Sequence, residues 1–173
     1  MAVRLAQEGA QVWAVDFDPS RLAQTLALAG EHAHAIHPFE CDVTDSASVN
    51  RMVQACVSRL GGLDILINNV GGSAPGGPVE MSEEIWDAQI NFNLKSVFLM
   101  CKHALPMLKA RGGGAIVNMA STSGIRWTGS AQVAYAAAKA GVIQMSKVMA
   151  IQYAPDHIRV NTCLLYTSDA ADE

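Results

Sequence analysis

Short apolar runs alternate along this chain with longer stretches of helical period. The runs at 11–15, 33–39, 64–68, 114–119 and 158–161 are too continuously apolar for strands with one wet face. Between them, helices are predicted over 2–8, 19–28, 46–60, 82–110 and 132–153. Their ends are marked chemically. Gly9 and the pair Gly61-Gly62 stop the first and third, Pro19 opens the second, and Ser82 caps the fourth with Glu83 and Glu84 in its first turn. Pro106 is expected to bend or interrupt the last turns of that long helix. Strand and helix in strict alternation predict an α/β protein, a doubly wound parallel sheet with helices on both faces. No internal repeat is visible.

Length narrows this to one domain, since 173 residues are enough for one real core and too few for two. Half the residues are hydrophobic and only 6% aromatic, in keeping with an Ala/Val/Ile/Leu-rich α/β core. The formal net charge of -4 argues against nucleic acid as partner. Lys102, Lys139 and Lys147 interrupt the apolar helices, so no run approaches the roughly 18 residues of a membrane span. Cys41, Cys56, Cys101 and Cys163 show neither paired nor metal-type spacing. They read as free thiols of a reducing compartment, and the expected location is cytoplasmic. His32, His34 and His37 lack a nearby carboxylate set or cysteine pair and read as surface histidines, so no metal is expected.

The chemistry gathers at Tyr135 and Lys139. At i and i+4 on a helix, a phenol and an ammonium share one face, one turn apart. There the cation favours an ionised phenol. A serine from the strand end at 121 can hold a carbonyl while the tyrosine gives or takes a proton. Taken alone, the pair equally suits a half-buried tyrosine beside a lysine that snorkels.

Further stations fall in order along the chain: Asp16, Asp42-Val43, Asn68-Asn69-Val70-Gly71, Asn93, Ile116-Val-Asn-Met-Ala-Ser121, Tyr135-x-x-x-Lys139 and Ile158-Arg-Val-Asn161. Together they resemble the short-chain dehydrogenase/reductase family, over essentially residues 1–162. The resemblance implies a Rossmann-like fold and transfer of a hydride between a nicotinamide cofactor and a secondary alcohol or ketone. It assigns Ser121 to orient the carbonyl, Tyr135 as general acid/base and Lys139 to tune it and bind the nicotinamide ribose. Asn93 would hold a water in the proton relay, with Asn91 an ordinary, solvent-facing position. Ser121 stands three residues before Gly124, as the family's serine does; Thr122 is a competitor and Ser123 a turn former. The resemblance also implies that Asn69, Val70 and Gly71 line the cofactor, with Val70 where the family usually has alanine, while the station Asn68-Asn69-Val70-Gly71 equally suits a structural role in the central sheet. Asp42 and Val43 bracket the adenine, although Asp42 equally suits a strand-end cap.

Asp16, at a strand end, would accept the adenine ribose hydroxyls and repel a 2′-phosphate. Phe17 offers no compensating cation, so NAD is favoured over NADP, with Arg21 a turn away as a softening influence. Trp127 and the loop 73–78 are expected to flank the substrate mouth. The family also suggests a homotetramer or dimer built through the helices carrying Asn93 and Tyr135. Two rival readings remain: a nucleotide-sugar epimerase or dehydratase using the same tyrosine and lysine, and a non-catalytic fragment.

The fragment reading comes from the two ends. A dinucleotide domain opens with a strand and a Gly-rich turn feeding its first helix, whereas residue 1 already lies in a helix. At the other end, residues 163–173 resemble the translation of a transposon-type sequencing adapter and read as a non-native tail. Without Asp169, Asp172 and Glu173 the charge is near balance. The chain as written is expected to bind NAD weakly and to aggregate through exposed edges.

Overall fold

Six α-helices and five strands, every strand pairing parallel, alternate along residues 1–166, which are the residues described by this computed structural model. They divide into two compact units, Met1–Gly62 and Leu63–Glu173.

In the first unit α1 (Ala2–Gln7), β1 (Val12–Asp16), α2 (Pro19–Ala29), β2 (Ile36–Glu40) and α3 (Ser46–Leu60) follow in order. β1 and β2 pair from Val12 opposite Ile36 to Asp16 opposite Glu40. Ala6, Ala29, Ala35 and Ile36 form a buried cluster with Val3, Val12 and Leu26 packed around it. Small side chains at these positions let the helices approach the strands closely. Asp18 and Asp45 cap α2 and α3, accepting from Ser20 N and Ser48 N at 2.8 Å each. Such caps stabilise a helix by about 1 kcal/mol each.

Two expectations change here. β1 is half-buried along its whole length rather than buried, because it has one paired neighbour, β2, among the described residues. Residues 30–35 form a tight 3₁₀ turn, and the strand predicted over 33–39 is instead Ile36–Glu40. The alternating Ala33 and Ala35 that read as a strand face belong to that turn. In that turn His34 Nδ1 meets Glu31 O at 2.7 Å, while on β2 His37 Nε2 meets Gln11 Oε1 at 2.9 Å and its ring packs, tilted, against Trp13.

The second unit holds β3 (Ile65–Asn68), α4 (Glu83–Ile90), α5 (Ser96–Arg111), β4 (Gly114–Ser121), α6 (Val133–Gln152) and β5 (Ile158–Leu165). β4 is the central strand, flanked by β3 and β5, with Ile116 opposite both Leu66 and Val160. A polar chain crosses this apolar layer. Asn68 Nδ2 donates to Asn118 Oδ1 (2.8 Å), Asn118 Nδ2 to Ser146 Oγ (2.8 Å), and Ser146 Oγ to Val142 O (2.7 Å). All three side chains are buried. Cys101 packs against the same chain, and burial pushes its thiol up to about 12.

The long helix predicted from Ser82 is broken differently from expectation. It passes through Pro106 to Arg111, but a π-helical turn, Asn91–Lys95, separates α4 from α5. Side chains bond carbonyls around this wider turn: Asn93 Nδ2 donates to Gln89 O (3.0 Å) and Ser96 Oγ to Phe92 O (2.6 Å). Asn91 is half-buried rather than solvent-facing, with its Oδ1 enclosed and unpartnered. β5 continues past Thr162, setting Cys163, Leu164 and Leu165 opposite Met119, Ala120 and Ser121. Residues 167–173 of the predicted tail lie outside the described residues. Among the described residues no helix is long and apolar enough to cross a membrane.

Candidate active site

β4 delivers Ser121 from the buried centre of the sheet into a 3₁₀ turn, Thr122–Gly124. Ser121 Oγ accepts from Ser123 N at 3.2 Å, which fixes the hydroxyl at the turn's start. The turn is pressed against α6. A Cβ at Gly124 would lie 2.7 Å from Ala140 N and 2.8 Å from Lys139 C, so glycine alone permits this approach.

On α6, Tyr135 is half-buried and Lys139 almost fully so, at 3% exposure. Lys139 Nζ donates to Met119 O at 2.9 Å and stands 5.5 Å from the Tyr135 ring centroid. Burial pushes the Lys139 pKa below its ordinary value, because removing the ammonium from water penalises its charged form.

Asn93 comes to the same place from the π turn. It is fully buried, and its amide grips the loop after β3: Oδ1 accepts from Gly72 N (3.0 Å), and Nδ2 donates to Gly72 O (2.8 Å). Gln89 Oε1 accepts from Asn93 Nδ2 (3.2 Å) and from Ala74 N (3.3 Å). The loop thereby sits over the lysine: a Cβ at Gly71 would be 3.0 Å from both Asn93 Oδ1 and Lys139 Nζ. Asn69 is exposed and Val70 half-buried in this loop.

Thus Gly71, Asn93, Tyr135 and Lys139 converge, with Ser121 opening the turn that docks beside Lys139. Sequence reasoning did not single out Gln89, or the carbonyl of Met119 that anchors the lysine. A carbonyl has no sequence signature. Gln89 is readable only once the π turn is known, being four residues before Asn93.

A hollow of about 420 Å³ opens at the start of α6, lined by Pro78, Arg126, Trp127, Gln132, Val133 and Ala136 among others. Its walls are tied together. Gly76 N donates to Ala131 O (2.9 Å), and Val133 N to Gly76 O (3.1 Å). Ser123 Oγ bonds Thr128 Oγ1 (3.1 Å) and accepts from Gln132 Nε2 (3.3 Å). Trp127 and Pro78, expected at a substrate mouth, share this lining.

The remaining predicted residues lie in the first unit, at the carboxyl ends of β1 and β2. Cys41 N donates to Asp16 O, which brings the two strand ends together. Asp16 Oδ1 accepts from Asp18 N at 3.0 Å. Exposed Asp42 caps its own turn, accepting from Thr44 N (2.8 Å) and Thr44 Oγ1 (2.7 Å), while Val43 is buried.

The sequence profile of the family described as short chain dehydrogenase matches residues 1–171. The chain belongs to the short-chain dehydrogenase family. The chain is 39% identical over 156 residues to the 3-oxoacyl-[acyl-carrier-protein] reductase FabG of Thermotoga maritima, covering 90% of this chain and 63% of that protein. It therefore spans about three-fifths of the length of the curated relatives it matches. A Burkholderia xenovorans crystal structure assigned to the short-chain dehydrogenases/reductases is 55% identical, with a TM-score of 0.93, over 96% of this chain and 63% of that one. Carveol dehydrogenase from Mycobacterium avium, solved with NAD, is 33% identical with a TM-score of 0.88, over 94% and 64%. An actinorhodin polyketide ketoreductase variant solved with NADPH has the same identity and TM-score, over 94% and 63%. As a member of that family the chain carries an α/β, Rossmann-like fold with parallel strands, incomplete relative to its full-length neighbours, and two solved neighbours were determined with NAD or NADPH.

Proposed function

We propose that this protein is an oxidoreductase that moves a hydride between a nicotinamide cofactor and a secondary alcohol or ketone. The observation that carries this reading is the buried Lys139 ammonium, anchored on Met119 O and one helical turn from Tyr135. An ammonium has three donors, and Met119 O is its one hydrogen-bond acceptor among the described residues. The other two suit the ribose hydroxyls of a nicotinamide nucleotide, beside a loop that approaches without a side chain at Gly71. That donor set fits the cofactor.

When bound, the cofactor supplies or accepts the hydride. Ser121 Oγ orients the substrate oxygen, and Tyr135 donates the proton that the oxygen needs on reduction or takes it on oxidation. Lys139 stabilises the negative charge left on the phenol, and its poor solvation strengthens that effect. Asn93 clamps the loop over Lys139 and maintains a water route for the proton.

NAD is the favoured cofactor. Asp16 ends β1 as an acidic side chain suited to a free ribose diol. Arg21, the nearest candidate to neutralise a phosphate, is engaged by Asp18 (3.7 Å) and lies over the Phe17 ring. A cytoplasmic location agrees with four free cysteines, three of them buried, and a homo-oligomer is the proposed assembly.

Tyr135→Phe tests the reaction, in a protein extended to the full length of the relatives of which this chain spans about three-fifths. Alcohol-dependent reduction of NAD should disappear while NAD binding, followed by calorimetry, persists. Normal turnover by that variant would overturn the mechanism.

A further inference from the structure

The loop from Gly71 to Gly77, whose first residue lies against Lys139, has four glycines in seven residues. Such a backbone has little conformational preference of its own. It is held instead at alternate residues. Asn93 grips Gly72 at both its N and its O (3.0 and 2.8 Å). Gly76 is tied to the start of α6, where Gly76 N donates to Ala131 O (2.9 Å) and Val133 N donates to Gly76 O (3.1 Å). Between these two holds, Ala74 N donates to Gln89 Oε1 at 3.3 Å.

Gln89 suits the middle position by its chemistry. It is half-buried in the last turn of α4. Both groups that meet its side-chain end, Ala74 N and Asn93 Nδ2, are N–H donors, so the amide presents its oxygen to them. The two hydrogens of Asn93 Nδ2 have nearer acceptors in Gly72 O (2.8 Å) and Gln89 O (3.0 Å). The main duty of Gln89 Oε1 is therefore the loop backbone at Ala74. Releasing that bond frees the stretch between Gly72 and Gly76, directly after the Gly71 backbone that covers Lys139 Nζ.

We infer that Gln89 is a positioning residue for the reaction: it seats the glycine-rich loop on Lys139 and so keeps water from the ammonium that faces Tyr135. This rests on the reading of the protein as an alcohol or ketone oxidoreductase with Tyr135 as its acid/base. Among the described residues Tyr135 is the titratable side chain facing Lys139. The other groups around Nζ, Met119 O, the Gly71 backbone and the Asn93 amide, do not titrate. Once the loop loosens, water screens the ammonium from the phenol, which then ionises less readily.

Gln89→Met and Gln89→Glu, made in a protein extended to the full length of the relatives, separate this role from a structural one. Methionine matches glutamine in length and helix propensity but offers no oxygen, whereas glutamate keeps an acceptor for both donors. Every side chain of α4 is exposed or half-buried, and circular dichroism checks that both variants fold. In Gln89→Met, hydrogen exchange at the Ala74 amide should speed up about tenfold, the scale of one lost hydrogen bond. The kcat for alcohol oxidation should fall about tenfold. The limb of its pH profile set by the phenol should move about half a unit to higher pH. Gln89→Glu should restore slow exchange and most of the turnover. Unchanged exchange at Ala74, a fall in kcat with an unmoved pH limb, or a fall that glutamate does not restore would each overturn the inference. Tyr135→Phe keeps the two readings apart. Full activity of that variant overturns the proton-transfer mechanism itself; its inactivity beside normal turnover by Gln89→Met overturns the role of Gln89 alone.

Discussion

The backbone of Gly71 lies against the ammonium of Lys139, so close that a Cβ there would stand 3.0 Å from Nζ. The same Cβ would be 3.0 Å from Asn93 Oδ1, which is fixed by Gly72 N. Lysine's end is flexible and can give way, whereas the asparagine is held by its amide bonds. Gly71→Ala should therefore displace Lys139 more than it unfolds the protein. The expected stability loss is about 1 kcal/mol by chemical denaturation. Turnover should fall about tenfold or more, since small misplacements at a reacting centre are costly. An alanine variant with unchanged turnover would mean that Lys139 does not need its present position.

Burial lowers the Lys139 pKa, and the consequence for stability has a definite sign. Between the folded value and the ordinary lysine value near 10.4, the unfolded chain holds the proton more often than the folded one, so stability rises with pH there. The cost of burying the ammonium is fully present below the folded pKa and disappears as pH rises through the ordinary value. Lys139→Met removes that titration. Urea unfolding across the alkaline range should give a flatter pH dependence for the methionine variant than for the unaltered protein. Parallel curves would show that the lysine carries no such penalty.

Much of the fold was legible because its signals are local. Pro19 and Ser82 before Glu83-Glu84 announce helix starts, and the apolar runs ending at Asn68 and Met119 announce covered strands. The tyrosine–lysine pair was equally readable, since helical period alone puts the two on one face. What stayed hidden depends on packing. The π turn at 91–95 had a faint sign, two asparagines inside a long helix where such residues are mildly unfavourable. Its cause is the grip of Asn93 on Gly72, 21 residues away. The turn at 30–35 misled because alternating alanines suit a tight turn as well as a strand. Asp16 and Asp42 were readable as strand-end acids, but their engagement by Asp18 and Thr44 was not.

The chain from Asn68 through Asn118 to Ser146 spans residues far apart in sequence, so nothing local foretold it. Buried polar groups are expensive once a partner is lost. Asn118→Val leaves the Asn68 amide and the Ser146 hydroxyl without their mutual partner, in the strand that leads directly to Ser121. We expect a loss of about 2–4 kcal/mol in urea unfolding. Ser146→Ala removes the two links at the chain's end, to Asn118 Nδ2 and to Val142 O, but leaves the Asn68–Asn118 bond in place, and should cost less, about 1–2 kcal/mol. Equal losses for the two variants would mean that the strand does not depend on the central asparagine.

Cofactor choice tests the other strand end. Asp16 accepts from Asp18 N through one carboxylate oxygen, so removing the acid frees a backbone donor as well as removing a negative charge. Both changes favour a phosphate at that position, and Arg21 then becomes the nearest cation. Asp16→Ser should raise the ratio of NADP to NAD affinity by about tenfold, equivalent to about 1.4 kcal/mol. Adding Arg21→Gln to that variant should take back part of the gain, because the phosphate would lose its counter-charge. Competitive calorimetry with both nucleotides reads the ratio directly. If Asp16→Ser weakens both nucleotides equally, the carboxylate acts on the strand end and not on the choice between them.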